Sequence, residues 1–333
     1  MKKIRSLKLH MNICLILMLV GMPSYSMVWA QLKPVKFKAV TFLPKGNPTA
    51  AAFGRMAEAF NEEFKGKLSI EWVGGPEVIP EFQLHESVRS GMIDMVATSS
   101  SYYVSILPVS HVPMFSNKTH EEMRESGFFD TFAELHKKAG VIYLGEVAQS
   151  RPFHIFTNFP VKTPKDLMGK KIRVFPAIIP FITALGSAPV NMAMPEIYTA
   201  MERGVVDGFV MATIGFVQSF AWHEVTKYMI SPGFYRGSVA VLVNSKRWNE
   251  IPKDLQSKII DWKFKVFDPK DEAYYTKFGE DQTKLVLDKG VRPIDFQPEE
   301  TKAYLRLAYD SGWAKIIEKS PEVGLKLKAM LVK

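Results

Sequence analysis

Two arginines, Arg151 and Arg173, fall at strand-associated positions in the second half of this chain. In open α/β sheets, ligands gather at the carboxyl ends of strands, on the loops that lead into helices. A guanidinium placed there grips a carboxylate through two parallel charge-assisted hydrogen bonds, each contributing about 1.5–3 kcal/mol. The same residues would serve equally as solvated strand arginines, so the pattern alone leaves both readings open. Catalytic chemistry has less to work with. There is no glycine-rich phosphate loop and no G-x-S-x-G elbow. His223-Glu224 lacks the second histidine of a zinc-protease helix, with Lys227 in its place, and the seven histidines scatter without metal-ligand spacing. No metal or cofactor is expected, and an enzyme would have to assemble its site from distant residues.

The elements that would position these arginines alternate between strand and helix. Val35–Phe42 reads as a strand, and Phe53, Met56, Phe60 and Phe64 at helical spacing mark a helix stopped by Gly66. Leu68–Val73 is a second strand, Phe82–Ser90 a helix ended by Gly91, and Ile93–Thr98 a third strand. Thr119 and Glu122 have the spacing of a capping box, opening a helix that runs to Gly140 before the strand Val141–Val147. This order predicts a largely parallel sheet with helices on both faces. The second half repeats the theme: a Thr163-Pro164 turn, a strand ending at Val174, a helix to Gly186, and strands at Pro189–Asn191 and Val205–Met211. A long strand is expected over Tyr235–Asn244. Pro252 starts a mostly helical region, interrupted near Asp268-Pro269, whose length from Glu250 to Lys289 suffices to run along both lobes. With no flexible linker, two lobes imply crossover strands and a hinged cleft.

The N-terminus carries Lys2, Lys3, Arg5 and Lys8, an apolar stretch over Ile13–Val20, and Val28-Trp29-Ala30, the order of a secretory signal peptide cleaved after Ala30. The apolar run is short of the roughly 20 residues that a spanning helix needs. The single cysteine, Cys14, lies in that run, so the mature chain has no thiol chemistry or disulfides. The four basic residues also leave, reducing 43 Lys and Arg to 39 against 34 Asp and Glu, a net charge of +5 with interspersed signs. No basic block or aromatic-basic stripe points to nucleic acid. About 300 mature residues exceed what one core usually serves, so two lobes are expected.

Three segments then resemble one family. Thr163-Pro164-Lys165-Asp166-Leu167-Met168-Gly169-Lys170-Lys171-Ile172-Arg173-Val174 resembles the P-x-D-L-x-G-x-K-x-R-V segment of the solute-binding subunits of TRAP (tripartite ATP-independent periplasmic) transporters. Leu185-Gly186-Ser187-Ala188-Pro189-Val190 is similar to their L-G-A-x-P-V, and Pro195 to Gly208 to their x-E-V-Y-x-A-L-Q-x-G-V-V-D-G, in family order and spacing. Weaker similarity covers nearly all of the mature chain. The resemblance implies a two-lobe α/β Venus-flytrap fold of the type II-like periplasmic binding proteins. It also implies crossover hinge strands, closure on a small organic acid, and delivery to small and large integral membrane subunits driven by an ion gradient. Arg173 would make the main salt bridge to the ligand carboxylate, assisted by Arg151. The lobes are expected at 31–148 plus 237–276 and at 149–236 plus 277–333.

One departure from the family bears on the ligand. Where many sugar-acid and dicarboxylate binders place a polar contact after V-D-G, this chain has Phe209 and Met211, and Phe153, Phe175, Phe234 and Tyr235 are expected to add to an apolar lining. These residues would equally pack behind the site as core. If they face the ligand, it is a monocarboxylate with an apolar, branched or aromatic body rather than a C4-dicarboxylate. By loop placement, the opposing wall draws on Asn47, Glu77, Gln83, Ser100 and Tyr102. An ABC-transporter or sensor-linked receptor would share this fold, and a periplasmic enzyme on the same scaffold would need a base that the sequence does not nominate.

Overall fold

The computed structural model describes residues 34–149 and 152–333; the expected leader and Arg151 lie outside the described residues. Among the described residues, eleven strands form two mixed sheets. The first has the order β2-β1-β3-β10-β4, from β1 (Val35–Thr41), β2 (Leu68–Gly74), β3 (Met95–Thr98), β4 (Val141–Val147) and β10 (Val239–Asn244). The second has the order β11-β9-β5-β8-β6-β7, from β5 (His154–Thr157), β6 (Lys171–Val174), β7 (Ala188–Asn191), β8 (Gly208–Met211), β9 (Tyr228–Ile230) and β11 (Arg292–Ile294).

Neither sheet is as parallel as the alternation suggests. β10 runs antiparallel to both β3 and β4, and β5 antiparallel to both β8 and β9. Both are strands that the chain enters on passing from one sheet to the other, after β4 and after β9, so each arrives against the direction of its neighbours. β10 begins only at Val239, later than the pattern suggests, because Tyr235 holds a left-handed φ of 53° and its hydroxyl donates to the Ala308 carbonyl. A side chain in that conformation breaks a strand and persists only where its surroundings hold it.

The helices follow the apolar spacing with two differences. The capping box at Thr119 and Glu122 forms, but the helix it opens is His120–Glu125, and a second, Phe128–Lys138, starts after Gly127 at φ 73°. The region after Pro252 is not interrupted. Helix Lys253–Trp262 passes through a π turn, Lys263–Phe267, into helix Asp268–Asp288. The amide of Asp268 bonds to the Lys263 carbonyl five residues back, so the wider turn absorbs one residue just where Pro269 lacks an N–H.

This long helix touches both sheets' territory. Trp262 packs edge-on against Phe60 and Phe64 of helix Ala51–Glu63. Asp271 pairs with Arg55 at 2.9 Å and accepts from the Ala148 amide at 3.0 Å. Further along, Gln282 accepts from the Gly215 amide and Thr283 meets Thr213 at 2.9 Å.

Candidate functional site

β6 carries Arg173 into the junction between the two sheets. In register it lies beside Val190 of β7 and Phe209 of β8, and its side chain is fully buried. Nε and Nη2 donate to the Met192 carbonyl at 3.1 and 2.8 Å, and Nη1 approaches Met211 Sδ at 3.3 Å. Among the described residues, no carboxylate stands within ion-pair distance of it. A buried cation satisfied only by neutral acceptors is electrostatically incomplete. Burial pulls the guanidinium's pKa down, and the nearby Tyr102 and Glu81 push it back up.

A cavity of about 60 Å³ lies beside it. The first sheet contributes Phe42, Leu43, Ser99 and Tyr102; the second contributes Phe153, Phe175, Met194 and Met211; the crossings supply Ala148 and Ser238. Phe153 and Phe175 stand 5.1 Å apart and form an apolar corner next to the Met211 thioether. Tyr102 is held from the other side by Phe42 and Phe82, with ring centroids 5.8 and 4.6 Å away. Its hydroxyl oxygen accepts from the Arg173 guanidinium, and burial, the main cause, raises its pKa, so it keeps its proton.

Several expected residues fall elsewhere. Phe209 shares a face with Met211 but stacks on Phe156 and packs against Phe216 and Trp222 in the core. Phe234 packs against Phe181 and Tyr304, and its main chain pairs with Phe153. Tyr235 is buried against Phe115 and Tyr309. Glu77 is exposed, its carboxylate accepting from the Gly75 amide at 2.7 Å, and Gln83 is exposed as well. Asn47 is spent on its own turn, accepting from the Thr49 amide at 2.8 Å, although its Nδ2 faces Gly215 of the second half. Ser100 is buried, its carbonyl taking the Ser110 hydroxyl, and its neighbour Ser99 reaches the cavity instead.

Two acids act on Arg173, the exposed Glu196 and the buried Glu81. Glu81 lies in the turn Glu81–Gln83, the Met194 amide is directed at its carboxylate, and the charge of Arg173 acts on it. A readable signal existed: Glu81, Leu84, His85 and Val88 follow helical spacing, and all four are buried.

Comparison with known proteins agrees with this architecture. Residues 39–320 match the family described as bacterial extracellular solute-binding protein, family 7. A solute-binding protein of Roseobacter denitrificans is 24% identical over 220 residues, covering 61% of this chain and 66% of that protein. A monocarboxylate 2-oxoacid-binding periplasmic protein of a Nostoc species is 22% identical over 293 residues, covering 86% of this chain and 80% of its own length. Among solved structures, a TRAP periplasmic solute-binding protein of Desulfovibrio salexigens with bound orotic acid superposes with a TM-score of 0.79 at 20% identity, covering 89% of this chain and 97% of that one. With the family match spanning both sheets and the site between them, this chain belongs to the bacterial extracellular solute-binding proteins of family 7.

Proposed function

We propose that this chain is the periplasmic solute receptor of a TRAP transporter and captures a small organic carboxylate between its lobes for the membrane subunits. One observation carries the reading: Arg173 is wholly buried at the lobe junction, with only neutral acceptors bonded to it. A ligand carboxylate completes that cation, and the water-excluded setting strengthens the pair. Arg151 is assigned the assisting role in the same reading, together with signal-peptide export and lobe boundaries at 148/149, 236/237 and 276/277.

The favoured ligand is a monocarboxylate with an apolar or aromatic body, supported by the corner of Phe153, Phe175 and Met211. A second reading keeps C4-dicarboxylates and 2-oxo acids, since a relative from Rhodobacter capsulatus is a C4-dicarboxylate-binding protein and the Nostoc relative a monocarboxylate 2-oxoacid-binding one. Calorimetric titration decides between them. Branched and aromatic acids are expected to bind with micromolar dissociation constants, about 8 kcal/mol. Micromolar binding of succinate or malate with no response to the apolar acids reverses the choice. Neighbouring genes for the two membrane subunits would set a TRAP receptor apart from an ABC-transporter or sensor-linked one.

A further inference from the structure

Of the two acids whose charge acts on Arg173, Glu81 and Glu196, Glu81 is the buried one, and it has an oxygen to spare. Glu81 is 6% exposed, and its Oε1 has no hydrogen-bond partner among the described residues. Its backbone cannot easily swing the carboxyl to water, because Leu84, His85 and Val88 on the same face are packed into the core. Tyr102 links the two charges: it lines the cavity, its hydroxyl meets Arg173, and it feels the charge of Glu81.

An open, buried carboxylate oxygen is costly unless something donates to it. The cost rises when an anion docks opposite. A ligand carboxylate neutralises Arg173 and so removes the cation that offsets Glu81, leaving one buried negative charge uncompensated. The same tension acts on the empty site, where burial, the larger influence, pushes the Glu81 carboxyl up and Arg173 pulls it down. A hydrogen-bond donor on the ligand itself relieves it.

We propose that Glu81 is a specificity-determining residue whose open oxygen accepts a hydrogen bond from an O–H or N–H of the ligand. The preferred ligand is then a carboxylate that carries a donor near the carboxyl group on an apolar body: a hydroxy or amino acid rather than a plain or keto acid. The inference deepens the carboxylate reading of the site and rests on Arg173 as its anchor.

Calorimetry on the mature chain tests it with acids that share one body: phenylpropanoate, phenylpyruvate, phenyllactate and phenylalanine, and the corresponding isocaproate set with leucine. In the wild-type protein, the best donor-bearing acid of a set binds at least about tenfold more tightly than its plain and keto counterparts, as expected for one hydrogen bond to a charged group. In Glu81→Met that ratio falls to about one, while the plain acid still binds. If Glu81→Met unfolds early, Glu81→Gln replaces it, with the ratio falling at least threefold. Equal binding of donor-bearing and plain acids by the wild type, or an unchanged ratio in the variant, overturns the role of Glu81. No binding by any acid overturns the carboxylate reading itself.

Discussion

The guanidinium of Arg173 is bonded twice to one main-chain oxygen, that of Met192, through Nε and Nη2. With Nη1 against Met211 Sδ, these bonds engage three of its five N–H groups, and the Tyr102 hydroxyl meets the guanidinium as well. A carboxylate docks on the donors that remain, with Tyr102 beside it. Met192 follows β7, whose pairing with β6 fixes where its carbonyl stands, so the arginine is oriented before any ligand arrives.

The first prediction follows from that orientation. Arg173→Met is expected to weaken acid binding at least about hundredfold, and Arg173→Lys at least tenfold, because a lysine supplies a point charge without the fork. Titration calorimetry measures both. The empty Arg173→Met protein sheds a buried guanidinium without an ion-pair partner but loses the cation that offsets Glu81, so its melting temperature should stay near that of the wild type.

The apolar corner supplies a second prediction. Phe153→Ala or Phe175→Ala should weaken an aromatic or branched acid about tenfold, the loss expected from removing one apolar wall, and leave acetate-sized acids little changed. Phe209→Leu, set back in the core against Phe156 and Trp222, should lower the melting temperature and leave the ranking of ligands as it is.

That contrast shows where the sequence stops being legible. Long elements such as β1, β2 and the helix Ala51–Glu63 are readable because one face of each is more buried than the other, and β4 because its apolar run is buried almost throughout. β5, β9 and β11 are not, since three or four residues are too few for a period to show. Met211 and Phe209 share a face of β8, and only the packing of residues 216–222 over one of them decides which borders the cavity. Arg173 was legible through its family context. Loop placement points to Glu77 and Gln83, both exposed, whereas the helical spacing of Glu81 with Leu84, His85 and Val88 marks the buried face.

A third prediction concerns acid sensitivity. His85 is buried, has no hydrogen-bond partner on either ring nitrogen among the described residues and stacks on Tyr103, and burial, the main cause, lowers its pKa to about 4 from 6.5. As pH falls below 6.5 the unfolded chain takes up the proton first, so stability is lost between 6.5 and about 4 and unchanged outside that window. The loss is about 1.4 kcal/mol per pH unit. His85→Phe, which keeps the stack and has no proton to bind, should therefore lose roughly 2–3 kcal/mol less than wild type between pH 7 and pH 4.5 in urea titrations. Equal losses would assign the acid limb to other groups. His111 and His136, also lowered to about 4, act in the same direction. The raised carboxyls of Glu146 and Asp268 oppose them, since a raised native pKa favours the folded state as pH falls.

The π turn carries a fourth. Lys263 is almost wholly buried, paired with Asp268 and donating to the Glu146 carbonyl at 2.8 Å. Asp268→Ala should destabilise by about 3–5 kcal/mol by leaving a buried ammonium unpaired, whereas Lys263→Met with Asp268→Leu should recover most of the loss. Chemical denaturation of the three proteins measures it.

Strand β10 has a consequence for the order in which this molecule comes into being. It lies between β3 and β4, with Val243 beside Met95 and Asn244 beside Val141, yet the chain reaches it only after β5 to β9 have been laid down. A polypeptide emerging amino end first, from a ribosome or through a narrow channel, therefore holds β4 without its neighbour until residue 244 is out. The halves mature as interleaved partners, and residues 34–148 made alone would present two raw edges where β10 belongs.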